Sequence, residues 1–118
     1  MKHISILGST GSIGRSTLSI VEKYPERFAI VALEAGGNLE LAFQDAQRWH
    51  PKIISLAKED DAAELRSQLK SAGLAGIEVV HGLAGLVRVA THPQADFVVS
   101  AIVGVAGLEA TYEAVKAG

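Results

Sequence analysis

The 118-residue chain has no cysteine. That excludes a disulfide framework, a thiolate nucleophile and any cysteine-ligated metal. It has no run of about 18 apolar residues, so no segment reads as a bilayer-spanning helix. Neither sign of charge dominates: 11 Lys and Arg stand against 13 Asp and Glu, for a formal net charge of −2. No partner held by bulk charge is expected, which sets aside nucleic acid and anionic membrane surfaces. The histidines His3, His50, His81 and His92 do not pair at a metal-ligand spacing and read as surface or turn residues. A basic leader with an apolar h-region and an Arg/Ser-rich transit peptide are both missing, which predicts a bacterial-type cytoplasmic setting.

What is present is alternation. Length and composition fit one domain, residues 1–118, with its own core. Apolar runs predict strands at His3 to Leu7, Phe28 to Leu33, Lys52 to Ala57, Ile77 to Val80 and Phe97 to Ala101. Segments of helical period begin near Ser12, Asn38, Glu59 and Gly82, and a last one covers Ala106 to Lys116. On the first helix, Ile13, Thr17, Ile20, Val21 and Tyr24 share a face expected to point inward. On the second, Leu39, Phe43, Ala46 and Trp49 do. Asn38 reads as that helix's N-cap. Glu59-Asp60-Asp61 has the look of a metal cluster, but an acidic first helical turn explains it better.

Alternation of this kind predicts a three-layer α/β fold, a Rossmann-like, doubly wound parallel sheet. The expected strand order is 3-2-1-4-5, with the switch point between strands one and four. In that arrangement strand five is an exposed apolar edge, so a longer protein is expected.

The most informative stretch is Gly8-Ser9-Thr10-Gly11-Ser12-Ile13-Gly14, between the first strand and the first helix. A glycine-rich turn there is where such folds hold a nucleotide pyrophosphate, on backbone N–H groups and the positive end of the helix dipole. The spacing G-x-x-G-x-x-G is by itself also compatible with an ordinary tight turn. Ser9, Thr10 and Ser12 have no histidine placed to activate them, so hydrogen bonding to phosphate is their simpler role.

Ile6 to Gly14, followed by Ser16-Thr17-Leu18, resembles the start of the 1-deoxy-D-xylulose-5-phosphate reductoisomerase family. Val31-Ala32-Leu33 with Ala35-Gly36-Gly37-Asn38 resembles that family's second cofactor loop. Ala101-Ile102-Val103-Gly104 with Ala106-Gly107-Leu108 resembles the segment closing its nucleotide domain. The resemblance implies that Thr10, Gly11, Ser12 and Ile13 meet the phosphates of NADPH. It implies that Gly36, Gly37 and Asn38 meet the adenosine ribose and its 2′-phosphate, and that Ala101 and Ile102 lie near the nicotinamide. It further implies isomerisation and reduction of 1-deoxy-D-xylulose 5-phosphate to 2-C-methyl-D-erythritol 4-phosphate, by a homodimer needing Mg²⁺ or Mn²⁺. The family's metal-binding and substrate-gripping residues match nothing in this chain, so no catalytic or metal residue is assigned and the chain alone is expected to be inactive.

Two positions depart from the family. Gly37 stands where members often carry Lys or Arg, and Glu34 lies 20 residues after Gly14. An acid at that place binds the 2′-hydroxyl of NAD and repels a 2′-phosphate, so local physics alone points to NAD. Arg15 and Lys58 are the cations available to offset it, and a solvated strand-end acid is the plainer role for Glu34. Two alternatives remain open: the cofactor domain of a semialdehyde-dehydrogenase-type enzyme, and a non-catalytic nucleotide-binding module.

Overall fold

Strands that are apolar on both sides need helices on both faces, and the chain supplies them in turn. The computed structural model describes residues 1–100. The elements are β1 (Lys2–Leu7), α1 (Ser12–Lys23), β2 (Phe28–Glu34), α2 (Leu39–Trp49), β3 (Ile53–Leu56), α3 (Glu59–Ser71), β4 (Glu78–His81), α4 (Gly82–Ala90) and β5 (Phe97–Ser100). The expected helix at Ala106 to Lys116, the strand end at Ala101 and the nicotinamide contacts Ala101 and Ile102 lie outside the described residues.

All pairings are parallel, in the order β4-β3-β2-β1-β5. The doubly wound class is as expected; the order 3-2-1-4-5 is not. β4 adds beyond β3, and β5 takes the place beside β1. The helices explain the difference. α1, α2 and α3 pack into one core with Ile4, Ile6, Ile30, Ile54 and Val79. Each right-handed crossover therefore advances one strand in the same direction. Among the described helices only α4 lies on the opposite face, where Leu86, Val89 and Ala90 cover Leu7, Val31, Ala32 and Ile53. It carries the chain back across the sheet, so the winding reverses between β1 and β5 rather than between β1 and β4. β4 suits an edge, being short and charged. Its Glu78 pairs with Arg88, and Arg66 donates to the Val79 carbonyl at 2.8 Å.

The inward face of α1 also differs from expectation. Gly14, Leu18 and Val21 are buried, whereas Ile13, Ile20 and Tyr24 are 58%, 55% and 44% exposed. The close packing of Gly14 on the Gly8 and Ser9 backbone and the burial of Leu18 and Val21 set the rotation of α1, in keeping with its ion pairs to α2, Arg15 with Asp45 and Glu22 with Arg48. They leave the stripe through Ile13, Ile20 and Tyr24 on the flank away from α2. On α2 the buried residues are Ala42, Asp45 and Ala46, with Leu39, Phe43 and Trp49 only half-buried. Small residues let α2 lie close to the sheet, and the larger ones wrap its sides.

Gly14 is where helix and loop meet. A Cβ there would overlap the Gly8 carbonyl oxygen and the Ser9 backbone, none of which can yield without moving β1. Gly37, by contrast, faces open space and has no positive φ. Gly14→Ala is expected to destabilise the fold by about 1–3 kcal/mol. Gly37→Ala should change stability by under about 0.5 kcal/mol. Urea unfolding of both variants checks this; equal losses would contradict the close-approach role of Gly14.

Candidate functional site

Open α/β sheets bind ligands outside the carboxyl ends of their strands. Here that edge carries two glycine loops, one after β1 and one after β2. In the first, Gly8 turns the chain with φ 79°. Its N–H is shared between the Glu34 carbonyl at 3.0 Å and Glu34 Oε1 at 3.1 Å. The Ser9 N–H and Oγ both donate to the same carbonyl, at 2.8 and 3.1 Å. Thr10 Oγ1 donates to the Ala35 carbonyl at 3.1 Å. The loop is thus sewn to the end of β2 before α1 begins.

Gly11 is the N-cap of α1 and has no side chain to cap with. The first helical bond runs from Arg15 N to Gly11 O at 2.9 Å. The amides of Ser12, Ile13 and Gly14 come before it, so they have no intrahelical acceptor. No acid stands in that first turn, whereas Glu40 and then Glu59, Asp60 and Asp61 occupy the first turns of α2 and α3. The helix dipole at α1 is therefore left uncompensated, and Gly11, Ser12 and Ile13 are exposed there. Such an arrangement offers free donors and a positive dipole end to an anion.

In the second loop Gly36 has φ 61°. Its N–H donates to Glu34 Oε2 at 2.9 Å, and its carbonyl accepts from Ala57 N at 2.9 Å. Asn38 caps α2 as expected, Oδ1 accepting from Leu41 N at 3.0 Å. Its Nδ2 and the Gly37 N–H have no hydrogen-bond partner among the described residues, and both residues are exposed. Of the residues expected to meet cofactor here, Gly37 and Asn38 offer donors. The Gly36 amide is already used.

Glu34 is not a solvated strand-end acid. It is 6% exposed, and burial pushes its carboxyl above the usual range despite the Gly36 and Gly8 amides that pull it down. Arg15 does not offset it, because its guanidinium grips Asp45 by two bonds, 2.6 and 3.0 Å. Lys58 is exposed at the N-cap of α3 and has no ion pair among the described residues.

Between the loops and α4 lies a cavity of about 380 Å³, lined by Gly8, Thr10, Glu34, Gly36, Ala57, Gly82, Leu83 and Leu86. Among the described residues Glu34 is the sole ionisable group in that lining. Sequence patterning missed Gly82, Leu83 and Leu86. A glycine directly after a strand and opening a helix, with φ 70°, was the available signal, and it repeats the logic of the first loop. Among the described residues no group of three or more His, Cys, Asp or Glu is placed to hold a metal.

Residues 4–118 match the family described as 1-deoxy-D-xylulose 5-phosphate reductoisomerase. A curated relative of that name from Synechococcus sp. (strain CC9605) is 49% identical over 100% of this chain and 29% of its own length. One from Geotalea uraniireducens (strain Rf4) is 47% identical over 100% of this chain and 30% of its own. A crystal structure of DOX-P reductoisomerase in complex with NADPH, fosmidomycin and magnesium superposes with a TM-score of 0.94 at 38% identity, over 100% of this chain and 28% of that one. The Zymomonas mobilis enzyme in complex with NADPH gives 0.88 at 33% identity, over 98% and 30%. The chain thus spans under a third of the length of these relatives.

The environment of Glu34 has a measurable consequence. Burial holds its carboxyl above the ordinary carboxylate range in the folded state, so the native protein holds the proton more tightly than the unfolded chain. Its contribution to stability is complete below the unfolded value and is lost as pH rises through the folded one. Glu34→Gln removes that proton. The unfolding free energy of the parent, relative to this variant, is expected to fall as pH rises from the ordinary carboxylate range through the raised folded-state value. A difference independent of pH, by urea titration, would contradict the burial of the charge.

Proposed function

This chain belongs to the 1-deoxy-D-xylulose 5-phosphate reductoisomerase family, and we propose on that basis that it forms the NADPH-binding part of such an enzyme. One observation carries the proposal: the turn at Gly8 delivers uncapped amides of Ser12, Ile13 and Gly14 to the carboxyl edge of the sheet. Relatives solved with NADPH share this fold closely. Thr10, Gly11, Ser12 and Ile13 take the cofactor phosphates, and Gly36, Gly37 and Asn38 face the adenosine ribose.

Bound NADPH supplies the hydride that reduces the rearranged sugar phosphate. This chain's residues do the holding. The Ser12 and Ile13 amides bind phosphate oxygens with the dipole of α1 behind them. Gly11 keeps the entrance free of side chain. The exposed Ile13 side chain gives the cofactor an apolar contact and shields the amides from water. Asn38 Nδ2 and the Gly37 N–H remain to donate to the ribose side.

Substrate and metal fall outside this role. The proposed reaction is conversion of 1-deoxy-D-xylulose 5-phosphate to 2-C-methyl-D-erythritol 4-phosphate, by a cytoplasmic homodimer. A solved relative contains magnesium. The proposal includes that this chain alone does not turn the substrate over. Family membership removes the semialdehyde-dehydrogenase alternative.

Ser12→Asp tests the phosphate cradle without endangering the fold, since an acid in a first helical turn is favourable to the helix. Calorimetric titration with NADPH is expected to show binding to the parent chain and at least about tenfold weaker binding to the variant. Unchanged affinity in Ser12→Asp would place the phosphates elsewhere.

A further inference from the structure

We propose that Glu34 is a specificity-determining residue, one that narrows this chain's preference for NADPH over NADH. The inference rests on the dinucleotide-binding role above and goes beyond it, because the relatives' complexes say nothing of how this chain's own side chains weigh the two cofactors.

Position is the first ground. Glu34 ends β2, the place where a doubly wound fold sets the adenosine ribose. A carboxylate there accepts from a ribose 2′-hydroxyl and repels a 2′-phosphate. The second ground is that the side chain is held. Oε1 accepts from the Gly8 amide at 3.1 Å and Oε2 from the Gly36 amide at 2.9 Å, in a residue only 6% exposed. It is braced by the backbone of both cofactor loops and does not swing away when an anion arrives. Each oxygen keeps a lone pair for a ribose hydroxyl.

The third ground is the lack of compensation among the described residues. Arg15 is spent on Asp45, Gly37 has no side chain, and Lys58 sits exposed on the α3 cap. The Gly36 amide, a natural donor to a phosphate oxygen, is already given to Glu34. What remains for a 2′-phosphate is the Gly37 N–H and Asn38 Nδ2, both neutral. Neutral donors hydrogen-bond a phosphate but bring no positive charge to set against Glu34. A fixed negative charge several ångströms from a phosphate, in the dielectric near a protein surface, weakens binding by roughly ten- to a hundredfold.

Calorimetric titration of the chain with NADPH and with NADH decides the matter, using the parent, Glu34→Gln and Glu34→Val. Glu34→Gln keeps the shape and one acceptor, so it serves if Glu34→Val unfolds; thermal unfolding by circular dichroism reports that directly. The parent is expected to bind both dinucleotides. Glu34→Gln should shift the NADPH-to-NADH affinity ratio toward NADPH by about tenfold, chiefly through tighter NADPH. Gly37→Arg should act in the same direction through the added cation. A shift under about threefold in Glu34→Gln, with both cofactors still bound, overturns the role of Glu34 alone. Failure of the folded parent to bind either dinucleotide overturns the binding role itself, and this inference with it.

Discussion

The structure depends on one close approach, that of α1 to the loop which precedes it. Gly14 lies against the Gly8 carbonyl and the Ser9 backbone with no room for a Cβ. Because of that contact the helix starts directly behind β1, and its first amides emerge at the carboxyl edge of the sheet. A larger residue would push α1 outward, and the amides would no longer face the point where two loops and α4 converge. The glycine at position 8 supplies the turn and that at position 11 the absent cap. Position 14 sets the distance on which both rely.

Charge is arranged around that cradle with economy. Acids fill the first turns of α2 and α3 but not of α1. Asp45, buried on α2, holds the Arg15 guanidinium by two hydrogen bonds and so links α1 to α2. Glu34 ties Gly8 to Gly36 through a single carboxylate, joining the two glycine loops. The cost of that joint is a buried negative charge at the pocket. Structural bracing and the proposed ligand discrimination thus fall on the same side chain.

Much of this was legible in the sequence. Alternating apolar runs placed every described strand to within a residue or two, and Gly82 to Ala90 is helical although Gly85 argues against it. Gly85 is there because the Ser55 hydroxyl occupies the position of its missing Cβ. Asn38 caps as its type and position suggested. Sheet order was not legible. Handedness fixes which face a crossover takes, but nothing local in Ile77 to His81 says whether that strand extends one edge or opens the other. The buried face of α1 was misread because Ile13, Ile20 and Tyr24 look like core by hydropathy. The close approach of Gly14 to the Gly8 and Ser9 backbone sets the rotation instead, and no periodicity encodes it. The bond pattern of Glu34 was hidden for the same reason, since its partners are backbone amides brought together only by the fold.

The most direct measurement is an amide-resolved NMR titration of the chain with NADPH. The largest shifts are expected at the Ser12, Ile13 and Gly14 amides, with a second, smaller set at Gly37 and Asn38. Saturable binding that leaves those three amides unmoved, while shifts gather on another face of the sheet, would contradict the account.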